Sequence, residues 1–170
     1  TRCVFRGNSA DTGGGIWNYE GSSPVLFNCL LNGNSVDNTG GGMLNGNASS
    51  PTLLNCTFSH NSAIYGGGIH NYGSSNPSLT NCILWGNAAT YEQQIDNSDP
   101  EPASVIRYCN IADSYSGDTW DASLGIDGGG NIDQGPGFID PDGPDNDPNT
   151  CDDNDYRLAP GSPCINAGDP

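Results

Sequence analysis

A repeat of 26–27 residues constrains this chain more than any other feature of its sequence. Five cysteines follow that spacing, and three Gly triplets follow it too, beginning at Gly13, Gly40 and Gly66. Two sets of asparagines and one set of prolines keep the same step. A period of this length is typical of a solenoid, in which each repeat is one structural unit stacked on its neighbours.

The local pattern predicts three short strands in each repeat. One strand follows the proline, a second begins at the cysteine and a third follows the Gly triplet, as in Leu53-Leu54, Cys56-Thr57-Phe58 and Gly68-Ile69-His70. Asn, Gly and Ser separate the strands, where left-handed backbone and side-chain–backbone hydrogen bonds are needed. No segment has apolar residues at helical spacing over three turns, so we expect little helix.

Strands of successive repeats are expected to stack in parallel, about 4.8 Å apart. The predicted fold class is therefore all-β, a right-handed parallel β-helix: a three-sided solenoid with 26–27 residues per coil and about five coils. Stacking at a fixed period places like residues above one another. The resulting ladders are Cys3, Cys29, Cys56, Cys82 and Cys109; Asn8, Asn34, Asn61 and Asn87; and Asn18, Asn45, Asn71 and Asn97.

The cysteine ladder is interpreted as a row of inward-pointing free thiols that fill space in the core. Ligands repeated along a line do not surround a metal ion. Stacked parallel cysteines also lie near disulfide distance with the wrong relative orientation. We therefore expect neither a metal centre nor disulfides in the ladder.

The repeat motifs resemble those of polymorphic outer-membrane proteins. Gly13-Gly14-Gly15-Ile16 and Gly66-Gly67-Gly68-Ile69 are similar to the GG-x-I motif, and Phe5-Arg6-Gly7-Asn8 and Phe58-Ser59-His60-Asn61 are similar to the FxxN motif. The resemblance covers about residues 1–112. It implies a right-handed β-helix, and surface adhesins and passenger domains are among the proteins with such repeats.

The chain divides into residues 1–112, which hold the repeats, and residues 113–170, an irregular acidic segment of the same domain. Residues 91–170 contain seventeen of the 20 acidic residues, and the net charge is −16. This charge disfavours nucleic acid and anionic membrane surfaces as partners. No apolar run approaches the ~20 residues of a transmembrane helix. The ending, residues 156–168, resembles the closing segment of secreted bacterial β-helix proteins and is expected to form a final strand and an edge cover.

An acidic loop in the second segment predicts a Ca²⁺ site, because Ca²⁺ prefers closely spaced oxygen ligands. The loop lacks the glycine and the distal glutamate of an EF-hand, and a solvated acidic loop is the alternative interpretation. The candidate ligands are Asp140, Asp142, Asp145, Asp147, Asp152, Asp153 and Asp155.

Two cysteines outside the ladder, Cys151 and Cys164, predict a disulfide. It would join the acidic loop to the last strand, as suits a secreted protein. Asn47-Ala48-Ser49 is an N-glycosylation sequon, so Asn47 is a candidate acceptor.

Catalysis is not expected from the sequence. A uronide lyase needs basic residues at its substrate, and the four arginines share no repeat face. A glycoside hydrolase needs carboxylates on one face, and Asp11 and Asp37 lie near one corner without a third acid. His60 and His70 are interpreted as isolated surface residues rather than bases.

An aromatic stripe is expected on the Gly-rich face, where Trp17, Tyr19 and Tyr72 follow the Gly triplets. His70 falls at the Trp17 position of its repeat, and Leu44 lies between them. The stripe would either bind sugar rings or simply cover the outer sheet. Glycans are therefore candidate partners.

The functional prediction is a secreted or cell-surface structural and adhesive protein of prokaryotic origin. Thr1 starts on a repeat strand, and an open strand edge recruits other chains. We therefore expect self-association as a head-to-tail homopolymer, in which coils stack end to end into an extracellular filament. The alternatives are a glycan-active or glycan-binding β-helix, similar to polysaccharide lyases or hydrolases, and a fragment of a long surface adhesin.

Overall fold

The computed structural model describes residues 1–99, 103–147, 153–165 and 167–168. These residues form strands, turns and bends, and none of them lies in a helix. Strands of successive repeats pair in parallel and stack as a solenoid of about four turns. The parallel β-helix predicted from the repeat is therefore confirmed. Within this described part, no helix is long and apolar enough to cross a membrane.

The predicted cysteine-, Gly- and proline-associated strands form three of the sheets. Sheet A is β1 (Val4–Arg6), β5 (Leu30–Asn32), β9 (Thr57–Ser59), β13 (Ile83–Trp85) and β17 (Asn110–Ile111). Sheet C is β3 (Ile16–Asn18), β7 (Met43–Asn45), β11 (Ile69–Asn71) and β15 (Ile95–Asn97). Sheet D is β4 (Val25–Phe27), β8 (Thr52–Leu54), β12 (Ser78–Thr80), β16 (Val105–Arg107) and β20 (Ile126–Asp127).

A fourth sheet lies between sheets A and C, at a position that the sequence pattern predicted to be a turn. Sheet B is β2 (Ser9–Ala10), β6 (Ser35–Val36), β10 (Ser62–Tyr65) and β14 (Ala88–Tyr91). The prediction of three strands per coil is wrong in this respect. These strands are only two to four residues long and begin with serine or alanine, so they carry no apolar alternation from which a strand could be predicted.

The core is a column of aliphatic and aromatic side chains inside the coil. Leu31, Phe58 and Leu84 of sheet A are each 0% exposed. Phe58 pairs in register with both Leu31 and Leu84, so the column is continuous along the axis. Fully burying such a side chain contributes about 1.5–3 kcal/mol.

The Gly triplets form the corner between sheets B and C, where successive coils approach most closely. Gly40 has a φ of 69°, which favours glycine. A Cβ atom on Gly41 would lie 2.5 Å from the Gly67 carbonyl oxygen, and one on Gly42 would lie 2.6 Å from that of Gly68. The triplet is therefore required by backbone proximity between coils.

The C-terminal segment continues the solenoid briefly and then leaves it. β20 extends sheet D, and Ile132 bridges to Asn110 at the end of sheet A. β18 (Tyr115–Ser116) and β19 (Thr119–Trp120) form one antiparallel hairpin. β21 (Phe138–Asp140) and β22 (Asp155–Leu158) form another.

The last hairpin lies against the side of the solenoid at sheet A. The Tyr156 hydroxyl is 3.2 Å from Nδ1 of His60, a residue 96 positions earlier. Further along, Asn110 Nδ2 donates to the Cys164 sulfur at 3.0 Å. The closing segment therefore covers sheet A from outside and pairs with β21, rather than adding a strand to the parallel stack.

Candidate functional site

Two columns of outward side chains run along sheet C. The first column is set by in-register pairing of β3, β7, β11 and β15, and it contains Trp17, Leu44, His70 and Asp96. The second column lies two residues later on each coil. Its positions are Tyr19, Gly46, Tyr72 and Ser98. Backbone hydrogen bonds of 2.9–3.0 Å join each of the last three to the preceding coil.

A concave surface, here called the outer groove, lies over these columns. Leu44 is only 2% exposed, whereas Trp17 is 56% exposed. The Trp17 and Tyr19 rings meet edge to face at a centroid distance of 5.8 Å. The lining residues are Thr12, Trp17, Thr39, Leu44, His70, Tyr72 and Ser98.

Two glycines allow His70 and Tyr72 to pack closely against the backbone beside the groove. A Cβ atom on Gly66 would approach the His70 Cβ to 2.9 Å, so the loop before β11 lies directly against His70. A Cβ atom on Gly46 would overlap the Tyr72 ring. Tyr72 therefore lies over Gly46 and toward Tyr19. Partial burial raises the pKa of Tyr72, with a further contribution from Tyr19, so its hydroxyl stays protonated at neutral pH.

A polar cluster occupies one end of the outer groove. His70 Nδ1 lies 2.5 Å from Asp96 Oδ2. The opposite ring nitrogen, His70 Nε2, lies 3.5 Å from Ser98 Oγ. His70 is 6% exposed and the Asp96 side chain 13% exposed, while Ser98 is exposed at the rim. The cluster thus places a hydroxyl, an imidazole and a carboxylate in one chain of contacts.

The interpretation of His70 as an isolated surface residue is wrong, since its ring is buried and held by Asp96. A signal for this contact was present in the sequence. Asp96 follows His70 by 26 residues, which is one coil, and Ser98 follows it by 28. Applying the ladder step to polar residues, and not only to the cysteines and asparagines, would have placed all three together.

The predicted asparagine ladders both lie inside the coil. Asn34 Nδ2 donates to Asn61 Oδ1 at 2.8 Å, and Asn61 Nδ2 donates to Asn87 Oδ1 at 2.9 Å. Asn8 continues this ladder at an exposed position. The second ladder runs through Asn18, Asn45, Asn71 and Asn97 with amide contacts of 2.8–2.9 Å.

The cysteine ladder lies at the corner between sheets D and A. Cys29, Cys56, Cys82 and Cys109 are buried free thiols, whereas Cys3 is exposed. Cys3 precedes β1, the outermost strand of sheet A, so no coil covers it in the described structure. The expectation that all five sulfurs are buried in the core is wrong for this residue.

The buried thiols donate weak hydrogen bonds as well as filling space. Cys56 Sγ lies 3.3 Å from the Leu54 carbonyl oxygen, and Cys109 Sγ lies 3.2 Å from that of Arg107. The residue between thiol and acceptor has a positive φ, 53° at Asn55 and 52° at Tyr108. Each thiol therefore satisfies a carbonyl at the left-handed corner of its coil.

The second histidine, His60, lies under the C-terminal hairpin. Its Nδ1 is 2.9 Å from Ser59 Oγ and 3.2 Å from the Tyr156 hydroxyl. Burial lowers the pKa of His60, and the negative charge of Asp142 opposes that shift. Burial therefore favours the neutral form of the imidazole at the junction between the hairpin and the solenoid.

Among the described calcium-ligand candidates, Asp140 lies in β21, Asp155 lies in β22, and the others lie between these strands. Asp152 falls outside the described residues, and the described acids include no cluster of three that could hold a metal ion. Arg157 binds the Asp155 carboxylate at 2.6 Å and lowers its pKa to about 2. The Ca²⁺ site stays a prediction.

The predicted disulfide and glycosylation site also stay predictions. Cys151 lies outside the described residues, and Cys164 is half-buried as a free thiol. Asn47 is exposed, with a φ of 52°. Ser49, the third residue of its sequon, is 0% exposed.

Residues 1–132 match the family described as the right handed beta helix region. The match covers more than half of the chain, so this protein belongs to the right-handed β-helix family. The family includes pectate-lyase-like enzymes as well as proteins that catalyse no reaction, and membership therefore leaves the activity open. A search of curated proteins and a search of solved structures each returned no significant match.

Proposed function

We propose that this protein is an extracellular or cell-surface adhesive β-helix that binds a neutral glycan in its outer groove. The observation that carries the proposal is the pairing of exposed aromatic rings with a buried apolar floor on one face. Trp17 is 56% exposed and Tyr19 is 39% exposed, whereas Leu44, which pairs with Trp17 on the neighbouring strand, is 2% exposed.

The chemistry of the groove suits sugar rings. A pyranose presents an apolar face of C–H bonds and a rim of hydroxyl groups. The aromatic rings of Trp17 and Tyr19 pack against the apolar face. The Ser98 and Tyr72 hydroxyls lie within the same face and serve as hydrogen-bonding groups for the rim, as is usual where a few polar groups orient a ligand in an apolar site.

The direction of the groove favours an extended chain. Its columns cross four strands of sheet C, so they span about 14 Å along the solenoid axis at about 4.8 Å per strand. The net charge of −16 opposes binding of acidic polysaccharides. Neutral oligosaccharides are therefore the proposed ligands.

Calorimetry with a panel of neutral oligosaccharides, at low and high salt, tests this proposal. Trp17→Ala should weaken binding by about fivefold or more, since an aromatic contact is worth about 1 kcal/mol beyond its burial. Tyr91→Ala is the matched control, because Tyr91 is 55% exposed on sheet B and stacks on Tyr65 away from the groove lining. Equal loss in both variants, or no binding by the unmodified protein, would contradict the proposal.

End-to-end stacking into a filament remains part of the proposal as an assembly mode. It is motivated by β1, an end strand of sheet A, in which Val4 is 58% exposed. Unpaired strand edges pair with other chains. Electron microscopy of the native protein should show filaments with an axial repeat near the length of one chain, and monodisperse particles of a longer polypeptide would support the adhesin-fragment alternative instead.

A further inference from the structure

We propose that Ser98, His70 and Asp96 form a nucleophilic triad that hydrolyses acyl esters, with Ser98 as nucleophile, His70 as general base and Asp96 as the group that orients His70. Only the assignment of the natural substrate, an acylated neutral glycan, rests on the proposed glycan-binding function. His70 lies on β11 and Asp96 on β15, adjacent strands of sheet C, and Ser98 directly follows β15 at the end of the outer groove.

The contacts place each group on the correct atom of the imidazole. Asp96 Oδ2 is 2.5 Å from His70 Nδ1 and accepts the proton carried there. In the neutral tautomer with its proton on Nδ1, the imidazole has its free lone pair on Nε2, which faces Ser98 Oγ at 3.5 Å. This order of carboxylate, imidazole and hydroxyl defines the catalytic triad on several unrelated folds. Nucleophile–base contacts are often looser without substrate and shorten when substrate is bound.

The surroundings distinguish base from nucleophile. His70 and the Asp96 side chain are largely removed from solvent, and the backbone at Gly66 lies against the His70 side chain. Ser98 is exposed. A substrate in the groove therefore reaches the hydroxyl directly, while water has little access to the His70–Asp96 contact.

A second serine–histidine contact in the chain lacks these features. Ser59 Oγ lies 2.9 Å from Nδ1 of His60, but Ser59 is 0% exposed and donates to the Trp85 carbonyl oxygen. The Tyr156 hydroxyl is the further partner at that nitrogen. The group of Ser98, His70 and Asp96 therefore differs from the His60 contact, because it combines an accessible hydroxyl with an imidazole that contacts a carboxylate.

The groups present favour an ester over a glycosidic bond. Glycosidic cleavage requires two carboxylates on either side of the bond, whereas Asp96 is engaged with His70. The sugar that carries the acyl group would extend over Trp17 and Tyr19.

The reaction balances with water as co-substrate. Ser98 Oγ attacks the ester carbonyl carbon while His70 Nε2 takes the hydroxyl proton. The carbon–oxygen bond to the sugar breaks, His70 returns the proton to the sugar oxygen, and an acyl-serine remains. Water then attacks the acyl carbon and gives a proton to His70, which passes it to Ser98 Oγ as the acyl bond breaks. The products are a carboxylic acid and a free sugar hydroxyl.

Hydrolysis of p-nitrophenyl acetate by the full chain, with fluorophosphonate labelling followed by peptide mass spectrometry, tests the triad. We expect turnover above the buffer rate and an adduct on Ser98. Ser98→Ala should abolish both signals, and Asp96→Asn should lower the rate by at least 100-fold. Ser35→Ala, at an exposed serine of sheet B, should retain the full rate, and circular dichroism establishes that each variant folds.

Two results would overturn the triad: an unlabelled Ser98 with no turnover above buffer, or equal turnover by the unmodified protein and Ser98→Ala. Failure of the glycan-binding proposal gives a different result. The small ester does not need the aromatic rings, so Trp17→Ala should still hydrolyse it, and turnover of the ester should persist even if the unmodified protein binds no oligosaccharide.

Discussion

Asn61 Nδ2 donates to Asn87 Oδ1 at 2.9 Å while Asn61 Oδ1 accepts from Asn34 Nδ2 at 2.8 Å. The same amide also donates to the Leu31 carbonyl oxygen, and its oxygen accepts from the Asn34 backbone N–H. One side chain thereby joins three successive coils. All three asparagines are nearly or completely buried, so each contact forms away from water.

Asn61→Ala is expected to lower the free energy of unfolding by about 2–4 kcal/mol, because it leaves buried donors on Asn34 without an acceptor. Asn8→Ala removes the exposed end of the same ladder and should cost less than about 1 kcal/mol. Urea denaturation followed by circular dichroism measures both. Equal losses would mean that the ladder does not stabilise the buried coils.

Gly67→Ala is expected to destabilise the solenoid by about 1–3 kcal/mol, as overpacking does in a close-packed interior. A Cβ atom there would lie 2.4 Å from the Ala88 carbonyl oxygen, which belongs to the next coil. Gly135→Ala is the control, since no heavy atom lies within 4 Å of its Cβ position. Thermal melting should separate the two variants, and identical melting temperatures would contradict close backbone contact at the triplet.

Cys3 should react with iodoacetamide in the native protein much faster than Cys56 and Cys82. Cys3 is exposed, whereas a hydrogen bond with the Cys82 thiol and burial both raise the pKa of Cys56. Burial raises the pKa of Cys82 as well. The thiolate is the reactive form, so these buried thiols should be inert at neutral pH. Peptide mass spectrometry after timed alkylation measures the difference, and denatured protein should lose it.

The protein should lose stability as the pH falls below about 6.5, the pKa of an unperturbed histidine. Burial lowers the pKa of His60, so below that pH the unfolded chain binds a proton that the folded chain does not. The loss should level off below the folded pKa, and no effect is expected above pH 6.5. His60→Asn keeps a residue that tolerates the φ of 53° and removes the titrating group.

Urea denaturation between pH 5 and pH 8 measures the unfolding midpoints of the unmodified protein and of His60→Asn. The difference between the two midpoints isolates His60, because the other titrating groups contribute equally to both proteins. The two midpoints should converge as the pH falls if His60→Asn is the less stable form at pH 8. A constant difference across the range would show that His60 titrates alike in the folded and unfolded chains.

Calcium removal is expected to lower the melting temperature if the acidic loop binds Ca²⁺, because a ligand bound to the folded state alone stabilises it. Asp140→Asn with Asp142→Asn should abolish the chelator effect. Asp11→Asn with Asp37→Asn makes an equal charge change in the repeats and should preserve it. A melting temperature that is the same with and without chelator would reject the site.

Much of the solenoid was predictable because its period of 26–27 residues is visible directly in the sequence. A step of 26 residues from Asn61 leads to Asn87, and the two amides do meet. Three of the four strand positions could be assigned from cysteine, Gly triplet and proline signals. The fourth, represented by Ser9–Ala10, could not, because its two small residues have no pattern of their own.

Side-chain contacts within the outer groove depend on more than the period. The step alone places Asp96 beside His70, but it does not determine that Gly66 packs against His70 or that Ser98 meets Nε2 diagonally. Those contacts follow from which face each strand presents and from rotamers set by packing. The interpretation of His70 as isolated had a simpler cause, because the 26-residue step was applied only to the cysteine and asparagine ladders and not to other polar residues.

The sequence by itself determined the repeat, the parallel stacking and the internal ladders, because a fixed period places like residues at the same point of each coil. Only the tertiary structure decided where the non-repeating C-terminal segment lies. Tyr156 reaches His60 across 96 residues, and no period relates the two. Such a contact depends on how the surfaces of the hairpin and of sheet A fit together, which appears only once both have folded.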